Sequence, residues 1–487
     1  MKRIFVILFA LIALVSLNSQ EFTIVNGAEP ASLDPHYVEG VPEHRIYMAL
    51  FEGLTVPDPK TNRALPGMAE KWTFNKTMDV VTFSLRKNAV WSDGTPITAD
   101  DFVKSWLRKL DPKNAFQYAD LVANIVKGGN EYMSGKAGPE AVKIRAVDKY
   151  TFEVTLVGPT PHFPDMVTHY AFAVVPMHAI AKYGQDWVKP ANWVSNGPFV
   201  LSEWKPQEKI VVVPNKKYYD AKNVNLKKIT FIANDDVKVG LDLYKTGAAD
   251  WIDTVPAEAK DELKLRKDFF EAPEYGTYYY IINVTRKPLD DARVRKALGM
   301  AFDRALLTSQ VAKTGVPAAS FVPPSSGYTP AKGVTLNVEE AKKLLAAAGY
   351  PGGKGFPAFS ILYNTSSNHK RIAEFIQAQW KTNLGIDVTL VNQEWSTYLD
   401  TRSSSHNFDI ARAGWIADYL DPSTFSDMWV TGGTQNDGLY SNKKYDDAIA
   451  LARLQTGATR LKTLMEDEKI LIDQDYAIMP LYFYTTQ

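Results

Sequence analysis

The sequence predicts a mixed α/β protein that folds into more than one lobe. The chain has 487 residues, more than one compact core usually holds. Strand-like and helix-like segments follow one another along its length, and in the second half they are regularly mixed. The sequence shows no internal repeat and no low-complexity linker between these segments. Separate domains are therefore expected to be joined by short crossings rather than by flexible tethers.

The first residues of the chain predict export. Lys2 and Arg3 precede an apolar run over residues 4–15, which is followed by the small and polar residues Ser16 to Ser19. A basic head, a short apolar stretch and a small-residue exit are typical of a secretory signal peptide. The apolar run is too short to span a bilayer, which needs about 20 residues. We expect residues 1–19 to be removed as a signal peptide.

The chain contains no cysteine. A large domain does not need disulfides as a small secreted one does. A lipid anchor attached through a lipobox cysteine is also excluded. An exported binding protein without a lipid tether needs a compartment that retains it, so we expect a soluble protein of the periplasm.

The first half of the sequence contains one clear helix start and several predicted strands. Thr98 followed by Asp101 forms a capping box, with Asp in place of the usual Glu, and predicts a helix that continues through Leu107. An Asp-Gly pair within residues 91–95 predicts a turn. The apolar patterns predict a helix at 45–51 and strands at 22–26, 80–85, 150–157, 207–214 and 226–232, of which the last two are expected to pair.

The second half alternates more regularly. The strongest helix spans residues 338–348, because Gly349 and then Pro351 form a standard helix stop. The same periodicity predicts further helices at 294–302, 306–312, 369–384, 448–454 and 460–471, and strands at 359–363, 388–392, 408–414 and 478–484.

Composition and motifs select no catalytic centre. Lysine plus arginine equals aspartate plus glutamate at 55 each, so the basic excess of a nucleic-acid binder is missing. The nucleophile elbow, the phosphate-binding loop and the zinc-protease motif are absent. The 7 histidines, such as His36 and His44, show no tight metal-ligand spacing, and we expect neither metal nor cofactor. A glycosidase pair of carboxylates is not excluded, although nothing selects one.

Two acidic pairs are better explained by local structure than by chemistry. Asp100-Asp101 and Asp290-Asp291 lie where predicted helices begin. Carboxylates at that position cap free backbone N–H groups and favour the positive end of the helix dipole. We therefore predict that both pairs are helix caps.

One segment, residues 409–419, allows a functional interpretation. A strand carrying the lone Arg412 is followed by Gly414, Trp415 and Asp418 in quick succession. The structural interpretation is a strand end with a surface tryptophan and a turn-forming aspartate. The functional one is a ligand-binding edge, where small residues expose the backbone, a carboxylate meets an ammonium group and Trp415 supplies a wall. Spacing alone leaves both interpretations open.

Long motifs add to this segment and run in order from about residue 22 to the last predicted strand. With them, the chain closely resembles the periplasmic oligopeptide-binding proteins of family 5 of the extracellular solute-binding proteins. The motifs that carry the resemblance, besides the 409–419 segment, are Ser32–His36, Glu39–Glu43, Phe51–Leu54, Trp91–Pro96, Ser195–Gly197, Gly276–Tyr280, Asp291–Ala297, Leu362–Ser366, Asn392–Trp395 and Asp400–Arg402.

The resemblance implies a two-lobed, type II periplasmic-binding-protein-like fold with an extra inserted domain. A discontinuous domain I over residues 20–51 and 176–275 would carry the inserted domain II, residues 52–175, in one lobe. Domain III, residues 276–487, would form the other lobe. The ligand cleft would lie between the lobes, which close by rotation about a hinge.

The resemblance also implies a function. The protein would bind peptides of about two to five residues in extended form and deliver them to the permease subunits of an inner-membrane ABC importer. We expect a monomer that is not an enzyme and binds no nucleic acid. A binder of murein peptides or of another small solute is the near alternative, and a secreted hydrolase is a distant one.

The resemblance assigns roles to individual residues. Asp418, preceded by Ala417 in the same motif, would hold the α-amino group of the peptide. Backbone contacts would come from Gly414 on one side and from Glu39 and Val41 on the facing lobe. The cations for the carboxylate end would be Arg412, His369 and Arg402, and the pocket walls would be Tyr118, His169, Trp395, Trp415, Tyr279 and Tyr484.

The sequence departs from the family pattern at one pair of positions. Enteric family members carry a cysteine pair where this chain has Gly276 and Ile416. The cross-link of those members is therefore absent from this chain.

Overall fold

The computed structural model describes residues 20–487. The predicted signal peptide, residues 1–19, lies outside these residues. From residue 20 onward, none of the helices combines the length and the apolar character needed to cross a membrane.

Sixteen strands are formed within residues 20–487. They are β1 (Glu21–Gly27), β2 (Thr55–Pro57), β3 (Ala64–Pro66), β4 (Ala69–Phe74), β5 (Val80–Leu85), β6 (Ile144–Asp148), β7 (Thr151–Thr155), β8 (Phe199–Lys205), β9 (Lys209–Pro214), β10 (Lys228–Ala233), β11 (Ala272–Ile282), β12 (Val316–Pro317), β13 (Phe359–Asn364), β14 (Val388–Gln393), β15 (Ile410–Ile416) and β16 (Ile478–Thr486).

The α-helices of the same region are mostly short. They are α1 (Val41–Leu50), α2 (Ala99–Leu110), α3 (Ala119–Ala123), α4 (Gly129–Met133), α5 (Phe163–Met166), α6 (Met177–Tyr183), α7 (Val237–Lys245), α8 (Lys260–Leu263), α9 (Ala292–Met300), α10 (Arg304–Leu306), α11 (Val338–Ala347), α12 (Ser367–Leu384), α13 (Trp395–Leu399), α14 (Ser423–Ser426), α15 (Lys443–Ala452) and α16 (Gly457–Lys469).

The first sheet joins two separate parts of the chain. Its strand order is β1-β10-β9-β8, with β1 parallel to β10 and the other pairs antiparallel. The predicted pairing of the two strands around residues 207–232 is confirmed, with Ile229 opposite Val212. Alternate residues such as Ile210, Val212 and Phe231 are buried, as expected for strands with one face on the core.

The second sheet, β4-β5-β7-β6, is antiparallel. Along the sequence, its strands lie between β1 and β8 of the first sheet. Helix α2 packs on it through Phe102 and Trp106, which are fully buried and contact Phe152 of β7. The predicted capping box is confirmed, because the Thr98 N–H donates to Asp101 Oδ2 at 2.7 Å. The first two sheets together form one lobe.

The third sheet has six strands in the order β12-β16-β11-β15-β13-β14 and forms the other lobe. In its central strand β11, Tyr278 and Tyr280 face a core built with helices α9, α11 and α12, whereas Tyr279 faces the opposite core. Gly276 lies directly opposite Ile416 on β15. The two positions at which enteric family members carry cysteines are therefore neighbours in this sheet.

Helix ends in this lobe follow the sequence signals. Asp291 caps α9 by accepting the Arg293 N–H at 2.8 Å, which confirms the prediction for that pair. Gly349 has φ +99°, a left-handed conformation that suits a residue just after a helix. The predicted helix at 306–312 is only partly right, because α10 passes at once into a π-helical turn over Leu307–Ala312.

The two lobes are closed on each other. One continuous buried cluster contains Tyr118 and Tyr170 of the first lobe together with Trp415 and Tyr419 of the second. The cleft of this fold is thus lined by side chains that the two lobes bring into contact.

Candidate functional site between the lobes

Asp418 is a buried carboxylate at the interface of the lobes. It lies two residues beyond the end of β15, and its side chain is 8% exposed. Its Oδ1 atom is 3.2 Å from Nε2 of His169 in the other lobe. The Asp418 N–H donates to the Thr424 hydroxyl at 3.1 Å, which also accepts from Trp415 Nε1 at 3.3 Å. The loop after β15 is therefore fixed by its own hydrogen bonds.

Aromatic rings surround this carboxylate. The Tyr118 ring lies 6.0 Å from the Trp415 ring in a nearly parallel arrangement and 5.0 Å from the His169 ring. Burial, reinforced by the Asp418 charge, raises the pKa of Tyr118 well above its usual value, so its hydroxyl stays protonated as a donor. The structure thus brings four of the predicted residues together: Asp418, His169, Tyr118 and Trp415.

A small pocket lies beside Asp418. Both lobes contribute to its wall, which combines aromatic and apolar side chains with carboxylates and amides. Besides Tyr118, Trp415 and Asp418, its lining residues are Asp120, Leu121, Asn124, Tyr419, Thr424, Asp427, Met428 and Gln435. No arginine or lysine belongs to this lining, so the pocket favours a cationic group.

The strand that leads to Asp418 has an open edge. The Ala417 N–H donates to Tyr275 O and the Asn283 N–H to Asp409 O. Because hydrogen-bonded pairs alternate in an antiparallel ladder, the backbone groups of Gly414 and Ile416 point away from β11. On that side, β13 pairs with β15 only at Ile410 and Ala411. Within residues 20–487, no strand pairs with Gly414 and Ile416 along this edge.

Arg412 lies at the far end of this edge from Asp418. Its guanidinium donates to the Tyr484 hydroxyl at 3.0 Å and to Asn364 Oδ1 at 3.3 Å, and it lies 4.8 Å from the centre of the Tyr278 ring. Its Nε atom is buried without a hydrogen-bond partner in the described part of the chain. The charge is thus positioned by neutral groups and is not neutralised by a carboxylate.

Gly414 makes room for Tyr484. A β-carbon on Gly414 would lie 2.1 Å from the Tyr484 hydroxyl oxygen, much closer than real contacts allow. The glycine thus allows the tyrosine to lie across β15 and reach Arg412. The predicted close approach to Gly414 is in this structure made by a side chain of the same lobe.

The two other predicted cations differ from Arg412. His369 accepts or donates at 3.2 Å with the Tyr278 hydroxyl, and burial together with the Arg412 charge lowers its pKa well below 6.5. It is therefore a neutral imidazole at neutral pH. Arg402 is bound by Asp437, whose Oδ2 lies 2.7 Å from the Arg402 Nε atom. Of the three, Arg412 is the one that is charged and forms no ion pair with a carboxylate of residues 20–487.

Trp395 contacts the facing lobe at the predicted Glu39–Val41 segment. A β-carbon on Gly40 would lie 2.5 Å from the Trp395 ring, and the Trp395 Nε1–H donates to Glu43 Oε1 at 3.0 Å. Burial raises the pKa of Glu39 to about 7, against the opposing charge of Arg402. Val41 is 40% exposed at the start of α1. This segment therefore meets the other lobe through Gly40 and Glu43 rather than through Val41.

Tyr279 lies behind the site. Its ring is 2% exposed and packs edge-on against Phe321 and Trp429. Sequence reasoning missed Tyr398, whose hydroxyl donates to the carbonyl of Arg412 at the strand edge. It lies three residues after Trp395, so the helical spacing of two aromatic residues was the one available signal.

The histidines without a predicted role are structural. His36 is buried against Arg108, whose Nη1 lies 2.7 Å from His36 Nδ1, and His44 stacks near His169. Within residues 20–487, no group of three or more His, Asp and Glu side chains has the geometry of a metal site.

Two lobes closed around a buried polar pocket, with an open strand edge leading to it, define the class of the two-lobed solute-binding proteins. Residues 63–437 match the family model described as bacterial extracellular solute-binding proteins, family 5, middle. The chain belongs to this family. It is 39% identical over 480 residues to the periplasmic oligopeptide-binding protein OppA of Salmonella typhimurium, covering 94% of this chain and 86% of that protein.

Solved structures agree with the fold and with its closed state. The oligopeptide-binding protein OppAIV of Borrelia burgdorferi has a TM-score of 0.92 at 38% identity, covering 96% of this chain and 94% of that one. The murein tripeptide binding protein MppA of Escherichia coli, at 37% identity, has a TM-score of 0.91, covering 96% and 93%. Its unliganded open form, covering 96% and 92%, has a TM-score of only 0.63. The described chain is thus much more similar in shape to the former structure than to the unliganded open form.

Proposed function

We propose that this protein binds short peptides, of about two to five residues, in extended form between its lobes and delivers them to an ABC importer. The relatives are named for oligopeptide and murein tripeptide binding. In this chain, the observation that carries the proposal is the open edge of β15, which runs from Arg412 to a buried carboxylate at Asp418.

The edge suits the part of a peptide that all peptides share. The outward backbone groups of Gly414 and Ile416 can pair with an added strand without reading its side chains. Each such hydrogen bond contributes only about 1 kcal/mol net, so the charged ends must add affinity. A buried ammonium group needs a partner of opposite charge, and Asp418 supplies one.

The charges along the edge give the peptide a direction. The amino end would meet Asp418, and the carboxylate end would lie toward Arg412, whose guanidinium has only neutral hydrogen-bond acceptors. An extended chain advances about 3.3 Å per residue, so peptides of different length end at different distances from Arg412. Water molecules can bridge such gaps and adapt to different side chains.

The cellular role in the proposal rests on the sequence and the relatives. A signal peptide over residues 1–19, export to the periplasm without a lipid anchor, and docking on inner-membrane permease subunits as a monomer all belong to it. So does a division into domain I (20–51 and 176–275), domain II (52–175) and domain III (276–487). The residues that build the three sheets support this division.

Calorimetry with trialanine and with N-acetyl-trialanine tests the proposal. We expect trialanine to bind and the acetylated peptide, which lacks the ammonium group, to bind at least about 100-fold more weakly. A murein tripeptide measured in parallel distinguishes the alternative ligand. Equal binding of both trialanine forms would refute the Asp418 site, and cleavage of the peptide during the titration would indicate an enzyme.

A further inference from the structure

Two loops of opposite lobes are joined by a dense set of hydrogen bonds at the border of the pocket, where Asp120 and Gln435 belong to its lining but Gln117 and Thr434 do not. In the first lobe the loop joins α2 to α3 and contains Gln117, and in the second the loop that precedes α15 contains Thr434. The Gln117 side chain donates to the Thr434 carbonyl, and the Thr434 hydroxyl donates to the Gln117 carbonyl. Gln435 Nε2 donates to the same Gln117 carbonyl at 2.9 Å, and the Thr434 N–H donates to Asp120 Oδ2 at 3.1 Å.

The loop of the second lobe is held in shape by its own lobe. Asn436, 4% exposed, donates to the carbonyls of Val430 and Tyr440 at 3.0 and 2.7 Å and accepts the Tyr440 N–H at 3.0 Å. Asp437, 2% exposed, is bound by Arg402. These bonds do not depend on the first lobe, so the loop is preorganised and little ordering entropy is lost when the lobes meet.

We infer that Gln117 and Thr434 are positioning residues, which hold the lobes closed and thereby set the affinity for every ligand of the cleft. The reason is geometric. Their mutual bonds cross from one lobe to the other and exist only when the lobes are closed, whereas neither side chain lines the pocket beside Asp418. We call this set of bonds between Gln117 and Thr434 the clasp.

The clasp has a quantitative consequence, which rests on the proposed function. When binding requires the closed form, the apparent dissociation constant scales inversely with the closed population. A net hydrogen bond of about 1 kcal/mol changes the closed-to-open ratio about fivefold, and the closed population by the same factor when the open form predominates without ligand. Loss of a clasp bond should therefore weaken all peptides by the same factor, and should act on the dissociation rate because the clasp forms after the first encounter.

Three variants test the clasp by calorimetry and stopped flow with trialanine, a tetrapeptide and a dipeptide. Gln117→Ala and Thr434→Val should each weaken all three peptides about fivefold, with dissociation rates raised by that factor and association rates within about twofold of wild type. Thr434→Ser keeps the hydroxyl and should bind like wild type. Gln185→Ala changes an exposed glutamine and is the matched control. Melting curves verify that each variant is folded.

Three results of these measurements would overturn the inference. Affinities within twofold of wild type in both Gln117→Ala and Thr434→Val would remove the clasp. Losses that differ more than about threefold among the three peptides would mean that these side chains contact the ligand. If Thr434→Ser were as weak as Thr434→Val, the hydroxyl bond would not be the cause.

A ligand-free measurement keeps the clasp testable even if no peptide binds, which would refute only the proposed function. The chain has no cysteine, so Lys136→Cys and Lys343→Cys, both at exposed positions of opposite lobes, can carry a pair of fluorophores. Single-molecule energy transfer then gives the closed-to-open ratio. We expect this ratio to fall about 25-fold when Gln117→Ala and Thr434→Val are combined; an unchanged ratio would overturn the inference.

Discussion

Replacing Asp418 by asparagine should remove most of the affinity for peptides with a free amino group. The substitution keeps the shape of the side chain and removes its charge. Truncating one partner of a buried charge pair costs about 2–5 kcal/mol, or about 30-fold to about 4,000-fold in affinity. Asp418 is only 8% exposed, so water can hardly replace it, while His169 at 3.2 Å offers no negative charge. We therefore expect a loss of at least about 100-fold.

The assay is a thermodynamic cycle measured by calorimetry. Trialanine and N-acetyl-trialanine are each titrated into wild type and into Asp418→Asn. If the carboxylate binds the ammonium group, acetylation of the peptide weakens binding strongly in wild type and little in the variant. The difference between the two losses of binding free energy is the coupling energy. Asp387→Asn, at a side chain that is 80% exposed in the same lobe, is the control and should bind like wild type. An acetylation penalty equal in both proteins would refute the reasoning.

Further predictions concern the strand edge and the facing lobe. Arg412→Met should abolish the preference for a tripeptide acid over its amide, because a positive charge held by neutral partners at that end is lost; calorimetry with both peptides measures it. Gly414→Ala should lower both melting temperature and peptide affinity, because the new methyl group lies 2.1 Å from the Tyr484 hydroxyl oxygen. Adding Tyr484→Leu should restore the melting temperature but not the affinity. Glu39→Gln should change the pH dependence of stability. The pKa of Glu39 is raised to about 7 in the folded state, so the folded protein binds this proton more tightly. The contribution of the Glu39 proton to the free energy of unfolding is complete below pH 4.5 and is lost as the pH rises to about 7. Urea unfolding at pH 5 and pH 8 should show wild type losing up to about 3 kcal/mol relative to the variant.

Each of these predictions can fail in a distinct way. An acid-to-amide ratio that is the same in wild type and Arg412→Met would place the carboxylate end elsewhere. An unchanged melting temperature for Gly414→Ala would mean that Tyr484 moves away without cost. Parallel pH profiles for wild type and Glu39→Gln would show that Glu39 keeps its ordinary pKa in the folded protein.

Local signals predicted the elements whose cause is local. The capping box at Thr98 and Asp101 and the cap at Asp291 depend on residues three or fewer positions apart, and both are present in the structure. The helix stop at Gly349 is of the same kind. Residues this close interact almost regardless of the rest of the fold, so the sequence alone is informative about them.

Contacts between distant residues could not be predicted in this way. Arg402 was expected to offer a free charge, yet Asp437 binds it from another loop. Gln117 and Thr434 lie 317 positions apart, and neither belongs to a motif. Strand β11 contains the motif Gly276–Tyr280, but its place at the centre of a six-stranded sheet was not predicted. Which side chains meet in such cases depends on the packing of whole lobes.

The alternation of β15 also fixes a reading frame for the ligand. Only every second residue of this strand, Gly414 and Ile416, turns its backbone groups toward the open edge. In the proposed binding mode a peptide can therefore shift along the edge only in steps of two residues, and an amino terminus held at Asp418 selects one frame. In that frame odd and even side chains point to opposite faces. A peptide and its copy with one residue added at the amino end would thus exchange the environments of all their shared side chains.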